Sequence, residues 1–184
     1  MKALSNLFIT LILLLMLSSC TTELNDYQRT SPTLDIKTYF TGSVTAWGMV
    51  QDYSNKVTRR FCVDIVGSWQ GDKGVLAEKF YFNDGEVSTR NWQLTKLENG
   101  KYTGEAEDVV GVAKGQQQGF AFQWQYQLLV PVEDDIYQLA LDDWMYQIDQ
   151  YRVFNRTTMK KFGVTVAEIT LFFDKKMPVA DCKA

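Results

Sequence analysis

Histidine is absent from the 184-residue chain. Its absence excludes Ser-His-Asp and Cys-His nucleophilic catalysis, His-ligated zinc and haem held by an axial His. Cysteine is scarce as well, and three residues cannot build a Cys₄ zinc site. There is no basic run, and the formal charge is −3, so nucleic acid is not an expected partner. No Gly-x-x-x-x-Gly-Lys-[Ser/Thr] phosphate loop occurs; Gly111, Gly115 and Gly119, four apart, read instead as a flexible loop. Beyond the first twenty residues no apolar stretch is long enough to cross a bilayer. Any catalysis would have to use carboxylates, Tyr, Lys or a metal on oxygen ligands. No residue is nominated as catalytic, and no metal or cofactor is expected.

What is present begins with Lys2 and an apolar run from Leu7 to Leu17, broken only by Thr10. A charged start, a short apolar stretch and small residues before a cut site are the marks of a secretory signal, too short for a transmembrane anchor. The sequence Leu17-Ser18-Ser19-Cys20 resembles the lipobox of bacterial lipoproteins. That resemblance implies lipidation of Cys20 and a membrane partner held through the lipid. With Thr21 rather than Asp following, the expected address is the outer membrane of a Gram-negative envelope, facing the periplasm. Residues 1–19 are then the signal and 20–33 the lipidated Cys and a polar tether with Pro32 near its end. Residues 34–184 form one domain, with a formal charge on the mature chain of −4 once Lys2 is lost (−3 − 1). An anchored barrel would sit within reach of a bilayer able to supply a ligand.

Removal of Cys20 from the thiol count leaves Cys62 and Cys182. An oxidising envelope permits a disulfide between them, which would pin the C-terminal tail to a strand; two free thiols are the alternative.

From Phe40 onward, strands alternate with turn signals at short intervals. Phe61, Val63 and Ile65 alternate with Arg60, Cys62 and Asp64, while Phe120, Phe122, Trp124, Tyr126 and Leu128 alternate with Ala121, Gln123, Gln125 and Gln127. Asn83-Asp84-Gly85 and Asn99-Gly100 are hairpin signals, because their turns need positive φ. Only Lys160-Lys161-Phe162-Gly163 suggests a helical turn. The reading is an all-β chain of eight or nine antiparallel strands closed into an up-and-down barrel, with a two-sheet sandwich as the alternative. Such a barrel either fills with side chains or holds one small ligand. Aromatic residues, 14% of the chain, lie on strand faces and suit either case.

Two polar groups stand out. Asp142 and Asp143 are adjacent, so in a regular strand they face opposite sides and cannot share a proton. The pair would also suit a bulge or turn splitting the run from Ile136 to Ile148. If one Asp is interior, Trp144 and Asn155 are its expected companions near a ligand's polar end. Glu78 shares an apolar face with Leu76, Phe80 and Phe82, and Arg90 shares one with Trp92 and Leu94. Pairing Phe80 with Arg90 and Glu78 with Trp92 makes Glu78 and Arg90 diagonal neighbours. They then form an internal ion pair, or leave Arg90 to hold a ligand carboxylate or phosphate. The candidate ligand-binding residues are therefore Glu78, Arg90, Trp92, Trp124, Asp142, Asp143, Trp144 and Asn155.

Thr45-Ala46-Trp47-Gly48, Arg59-Arg60-Phe61, Leu76-Ala77-Glu78-Lys79-Phe80, Asp108-Val109-Val110-Gly111, Asp142-Asp143-Trp144-Met145-Tyr146, and Asn155-Arg156-Thr157 with Lys161-Phe162-Gly163 follow one pattern. In these segments the chain resembles a family of proteobacterial lipoproteins grouped as domain of unknown function 3833, from about residue 33 to the end. The resemblance implies a lipocalin-like barrel and an outer-membrane or periplasmic location, with lipids such as palmitate a pointer to the ligand class; it implies no activity. Three functions follow as expectations: a lipid-anchored barrel binding an apolar or amphiphilic ligand such as a fatty acyl chain; a filled barrel that binds a protein partner; and an enzyme using Glu78, Asp142 or Asp143 with Arg90 or a tyrosine.

Overall fold

Tight turns dictate the topology. In a computed structural model, which describes residues 22–177 and 182, every long strand runs into a short connection and returns antiparallel. The strands are β1 (Gly42–Asp52), β2 (Val57–Gln70), β3 (Lys73–Phe82), β4 (Val87–Lys96), β5 (Lys101–Glu105), β6 (Val109–Gln118), β7 (Ala121–Val132), β8 (Asp135–Gln147), β9 (Arg152–Lys161) and β10 (Val164–Asp174). Each pairs with the next, and β1 pairs with β10 from Thr45↔Asp174 to Asp52↔Ala167, which closes the sheet. The molecule is a closed all-β barrel and not a two-sheet sandwich. Closure leaves no unpaired sheet edge.

The described residues hold ten strands, not eight or nine. The additional ones are β5 and β6, which are interrupted by Gly104, Gly111 and Gly115 and end in Gln116–Gln118. Gly115 is no part of a loop. A Cβ there would lie 2.1 Å from the Trp124 ring and 2.3 Å from the Phe122 ring, so the bare backbone is what lets those rings pack. The suggested helical turn near Lys161 is a two-residue hairpin, with Phe162 and Gly163 at φ 52° and 82°. Positive φ at both central positions is what a type I′ turn requires. The Asp142-Asp143 pair causes neither bulge nor turn, for β8 pairs with β7 in unbroken register from Asp135 to Tyr146.

One end of the barrel is plugged. Asp35 accepts a hydrogen bond from the Thr38 backbone N–H at 2.8 Å and so caps a single helical turn, α1 (Ile36–Tyr39). Leu34, Ile36, Tyr39 and Phe40 are all buried there, each large apolar side chain contributing about 1.5–3 kcal/mol by leaving water. Gly67 makes room for the plug: a Cβ would fall 1.5 Å from the Phe40 carbonyl oxygen. Residues 23–33 are not a free tether in the described part. Tyr27 packs against Phe120, Trp144 and Tyr146 with ring centroids 5.1–6.1 Å apart. The Phe120 N–H donates to Thr30 Oγ1 at 3.1 Å. The polar composition hid this docking, in which Tyr27 is the one aromatic side chain. Cys20 and the signal segment lie outside the described residues.

On the outer wall Cys62 is disulfide-bonded to Cys182, with Cα atoms 5.3 Å apart and a sequence separation of 120. Cys62 faces outward because its neighbours Phe61 and Val63 face in.

Candidate functional site

Alternation along the strands decides which side chains meet inside. β3 directs Leu76, Glu78 and Phe80 inward, β4 Arg90, Trp92 and Leu94, β7 Phe122, Trp124 and Tyr126, β8 Asp143 and Met145, and β9 Asn155 and Thr157. All of these line one cavity of about 130 Å³. Its walls are mostly apolar, with nine aromatic side chains among the 22 lining residues. Trp92 stands edge-on to Trp124 and to Tyr126, with centroids 5.6 and 5.3 Å apart, and Phe122 stacks on Trp124 at 5.7 Å. A cavity of about 150 Å³ lined by apolar groups is known to take a benzene ring. The room inside this barrel is therefore that of one ring or a short chain.

The charged groups gather toward the end away from α1, while the Tyr102 hydroxyl meets Asp35 at the plug. Glu78 lies directly opposite Arg90 in the ladder, and Phe80 lies opposite Ser88. The pairing thus differs by two residues from the diagonal one expected. Two residues preserve the face, so Glu78 and Arg90 both still point inward. Their closest approach is 3.9 Å between Arg90 Nη1 and Glu78 Oε2. The tighter partner is Asp108, from the β5–β6 connection. Arg90 Nη2 and Nε donate to its carboxylate at 2.6 and 2.9 Å. This fork-to-fork pair occupies one full side of the guanidinium, and Glu78 faces the other. Burial alone would lower the Arg90 pKa, but Asp108 and Glu78 raise it further. A ligand anion would therefore have to displace a carboxylate to reach Arg90.

The second interior carboxylate is Asp143, 7% exposed. Its partners are neutral: the Asn155 amide donates to Oδ1. Asn155, 2% exposed, also donates to the Trp144 carbonyl at 3.2 Å and accepts from Thr157 Oγ1 at 3.2 Å. Burial pushes the Asp143 pKa up to about 7 against the lowering effect of the Asn155 and Thr157 hydrogen bonds. Burial likewise pushes Glu78 up to about 7, with Arg90 lowering it and Asp108 and Asp143 raising it. The Tyr126 hydroxyl is raised by burial and then by the Asp143 charge. Two carboxyl groups that exchange protons near neutrality can act as hydrogen-bond donors or as general acid–base groups.

Of the eight candidates, six are brought together in the cavity: Glu78, Arg90, Trp92, Trp124, Asp143 and Asn155. Asp142 and Trp144 are not. Asp142 points outward and accepts from Gln123 Nε2 at 2.6 Å. Trp144 stacks on Tyr146 outside the barrel, with ring planes 12° apart. Both follow from one fact: in an unbroken strand, neighbours of an inward Asp143 must face out. Asp108, Tyr126 and Thr157 belong to the site but not to the eight candidates. Tyr126 and Thr157 share strand faces with Trp124 and Asn155, so the alternation marks them. Asp108 had no such signal. Among the described residues no group of His, Cys, Asp or Glu is arranged to hold a metal ion, and no helix is long and apolar enough to cross a membrane.

A ten-stranded closed antiparallel barrel, plugged at one end and hollow in its middle, is a lipocalin-like barrel. The chain belongs to the family described as Protein of unknown function (DUF3833), whose pattern matches residues 14–175. The fold is shared with a solved S-type phycobiliprotein lyase from Guillardia theta, at a TM-score of 0.56 and 9% identity over 86% of this chain and 99% of that one. At such identity the likeness is one of fold. No curated protein matches the chain in sequence.

Proposed function

We propose that the barrel binds one small apolar or amphiphilic ligand while a lipid on Cys20 holds it at the outer membrane, facing the periplasm. The observation that carries the binding is the cavity itself, walled by Trp92, Trp124, Phe122 and Tyr126 among other apolar side chains, with Glu78, Arg90 and Asp143 converging on it. Apolar walls with a few convergent polar groups are the usual make-up of a small-molecule site. A fatty acyl chain of palmitate length exceeds about 130 Å³, so a lipid ligand requires the ring walls to move apart.

On that reading, the start of the described chain orients the barrel relative to its anchor. Tyr27 and Thr30 dock at the plugged end, beside Phe120. Cys20 is two residues before Thr22, and at about 3.5 Å per residue it cannot reach the far end. An anchor there holds the plug against the bilayer, with the Asp108 end turned away. Ligand would then be exchanged with the aqueous side, not drawn directly from the anchoring membrane.

Native mass spectrometry of the full-length protein, extracted in mild detergent, tests the binding reading. A small-molecule adduct released on denaturation is the expected result. An adduct-free protein whose Tm does not rise with ring-sized compounds contradicts it.

A further inference from the structure

The cavity carries a mismatch between what it offers and what its own residues satisfy. Three carboxylates, Glu78, Asp108 and Asp143, face one guanidinium, Arg90. Arg90 is held by Asp108 in the two-pronged pair described above, and its remaining side lies 3.9 Å from Glu78. Asp143, 7% exposed, lines the same cavity. The groups facing it are Asn155 and Thr157 from β9, Tyr126 from β7, Glu78 from β3 and Arg90 from β4, while Asp142 is on the outer face of its own strand. Among the described residues none places a cation within ion-pair distance of Asp143. A buried carboxylate is costly unless it gains a cation or a proton. Trp92, Trp124 and Tyr126 line the same cavity, and the face of an aromatic ring attracts a cation.

We infer that the ligand of this cavity is an amphiphilic amine: a ring-sized or short-chain apolar body carrying an ammonium group, which pairs with Asp143 and faces Glu78. The inference rests on the small-ligand reading above and narrows it. It removes the alternative in which Arg90 receives a ligand carboxylate, because that guanidinium is already engaged on both sides. A fatty acid is disfavoured on the same ground, since its carboxylate would join three others around one cation. An ammonium does the reverse and brings the group toward neutrality. Its apolar body would occupy the space between Trp92, Trp124 and Met145, where the walls lack charge.

Three probes of one size and different charge test this by calorimetry at pH 8: benzylamine, present as the ammonium, benzyl alcohol and benzoate. Benzylamine is expected to bind at least tenfold more tightly than benzoate, with the alcohol between them. Asp143→Asn should bring the amine to within about threefold of the alcohol, and Glu78→Gln, which leaves Asp143 in place, should weaken the amine less. Binding of the alcohol but not the amine, or benzoate binding as tightly as the amine, overturns the inference and leaves the small-ligand reading standing. Failure of all three to bind overturns both. The wild-type comparison needs no variant, so a misfolded Asp143→Asn protein does not blunt it.

Discussion

Asp143→Asn should separate burial from charge at the heart of the barrel. In the native protein burial holds the Asp143 pKa at about 7, against 3.8 for an unperturbed aspartate. The native state therefore keeps a proton that the unfolded chain releases, and stability falls as pH rises between those values. Each pKa unit corresponds to about 1.4 kcal/mol, so about three units amount to about 4 kcal/mol. Asparagine has nearly the same shape, cannot ionise, and keeps an oxygen to accept from Asn155. The variant should thus match the wild type below about pH 4, gain on it by about 1.4 kcal/mol per pH unit, and lead by about 4 kcal/mol above about pH 7. Urea unfolding at a series of pH values, followed by tryptophan emission, measures the gap directly, provided the m-values agree. Subtracting the two curves cancels the titration of carboxylates common to both. A gap that is flat with pH, or one that favours the wild type as pH rises, would refute the idea that Asp143 is a buried carboxylate without a cation.

Other perturbations should read out the rest of the scaffold. Arg90→Ala strips Glu78 and Asp108 of their shared cation and should destabilise the protein by about 3–5 kcal/mol in chemical denaturation, a loss typical of breaking a buried pair. Replacing Cys62 and Cys182 by serine opens a loop of 120 residues; the chain-entropy model puts the cost near about 5 kcal/mol, visible as a lowered Tm. Asp35→Ala removes the α1 cap and the contacts from Lys96 and Tyr102, and should cost about 1–3 kcal/mol at neutral pH. Burial raises the Asp35 pKa, but the Lys96, Thr38 and Tyr102 hydrogen bonds outweigh it and hold it at about 2. Its contribution is therefore present above the unperturbed aspartate value of 3.8 and fades as pH falls toward 2, so wild type and variant should converge in acid. Gly67→Ala places a Cβ on the Phe40 carbonyl and should loosen the plug by about 1–3 kcal/mol, seen as faster proteolysis at that end.

How much of this was legible in the sequence depends on which physical signal each part left. β7 was clear, since Phe122, Trp124, Tyr126 and Leu128 alternate with glutamines and the period of two needs no partner strand to be seen. The turns at Gly85 and at Asn99-Gly100 were equally clear, and their φ values of 89°, 57° and 70° are the positive ones those residues tolerate. β5 and β6 were opaque because their glycines suit the rings packed over them, a reason that exists only after the sheet has closed. For Glu78 and Arg90, face was readable and register was not. Alternation fixes parity, whereas the Asn83-Asp84-Gly85 hairpin can be drawn with a two-residue slip that preserves it. Adjacency put Asp142 and Asp143 on opposite faces, and only the assembled barrel shows which one is inside. Asp108 lies on a connection 18 residues from Arg90; nothing local announces such a pairing. The docking of Tyr27 was hidden for a like reason, a lone aromatic in an otherwise polar segment.

The central claim, that this barrel holds a small ligand among its interior rings, is tested most directly by the indole N–H signals of its five tryptophans. In ¹H–¹⁵N spectra of the folded protein each indole gives one resonance, assignable by single substitutions. Trp92 and Trp124 line the cavity, while Trp47 and Trp144 stack on the outer wall against Phe172 and Tyr146. Titration with benzylamine should move the Trp92 and Trp124 signals in a saturable way and leave those of Trp47 and Trp144 in place. Saturable shifts confined to Trp47 or Trp144, or no saturable shift at any of the five, would contradict an interior binding site.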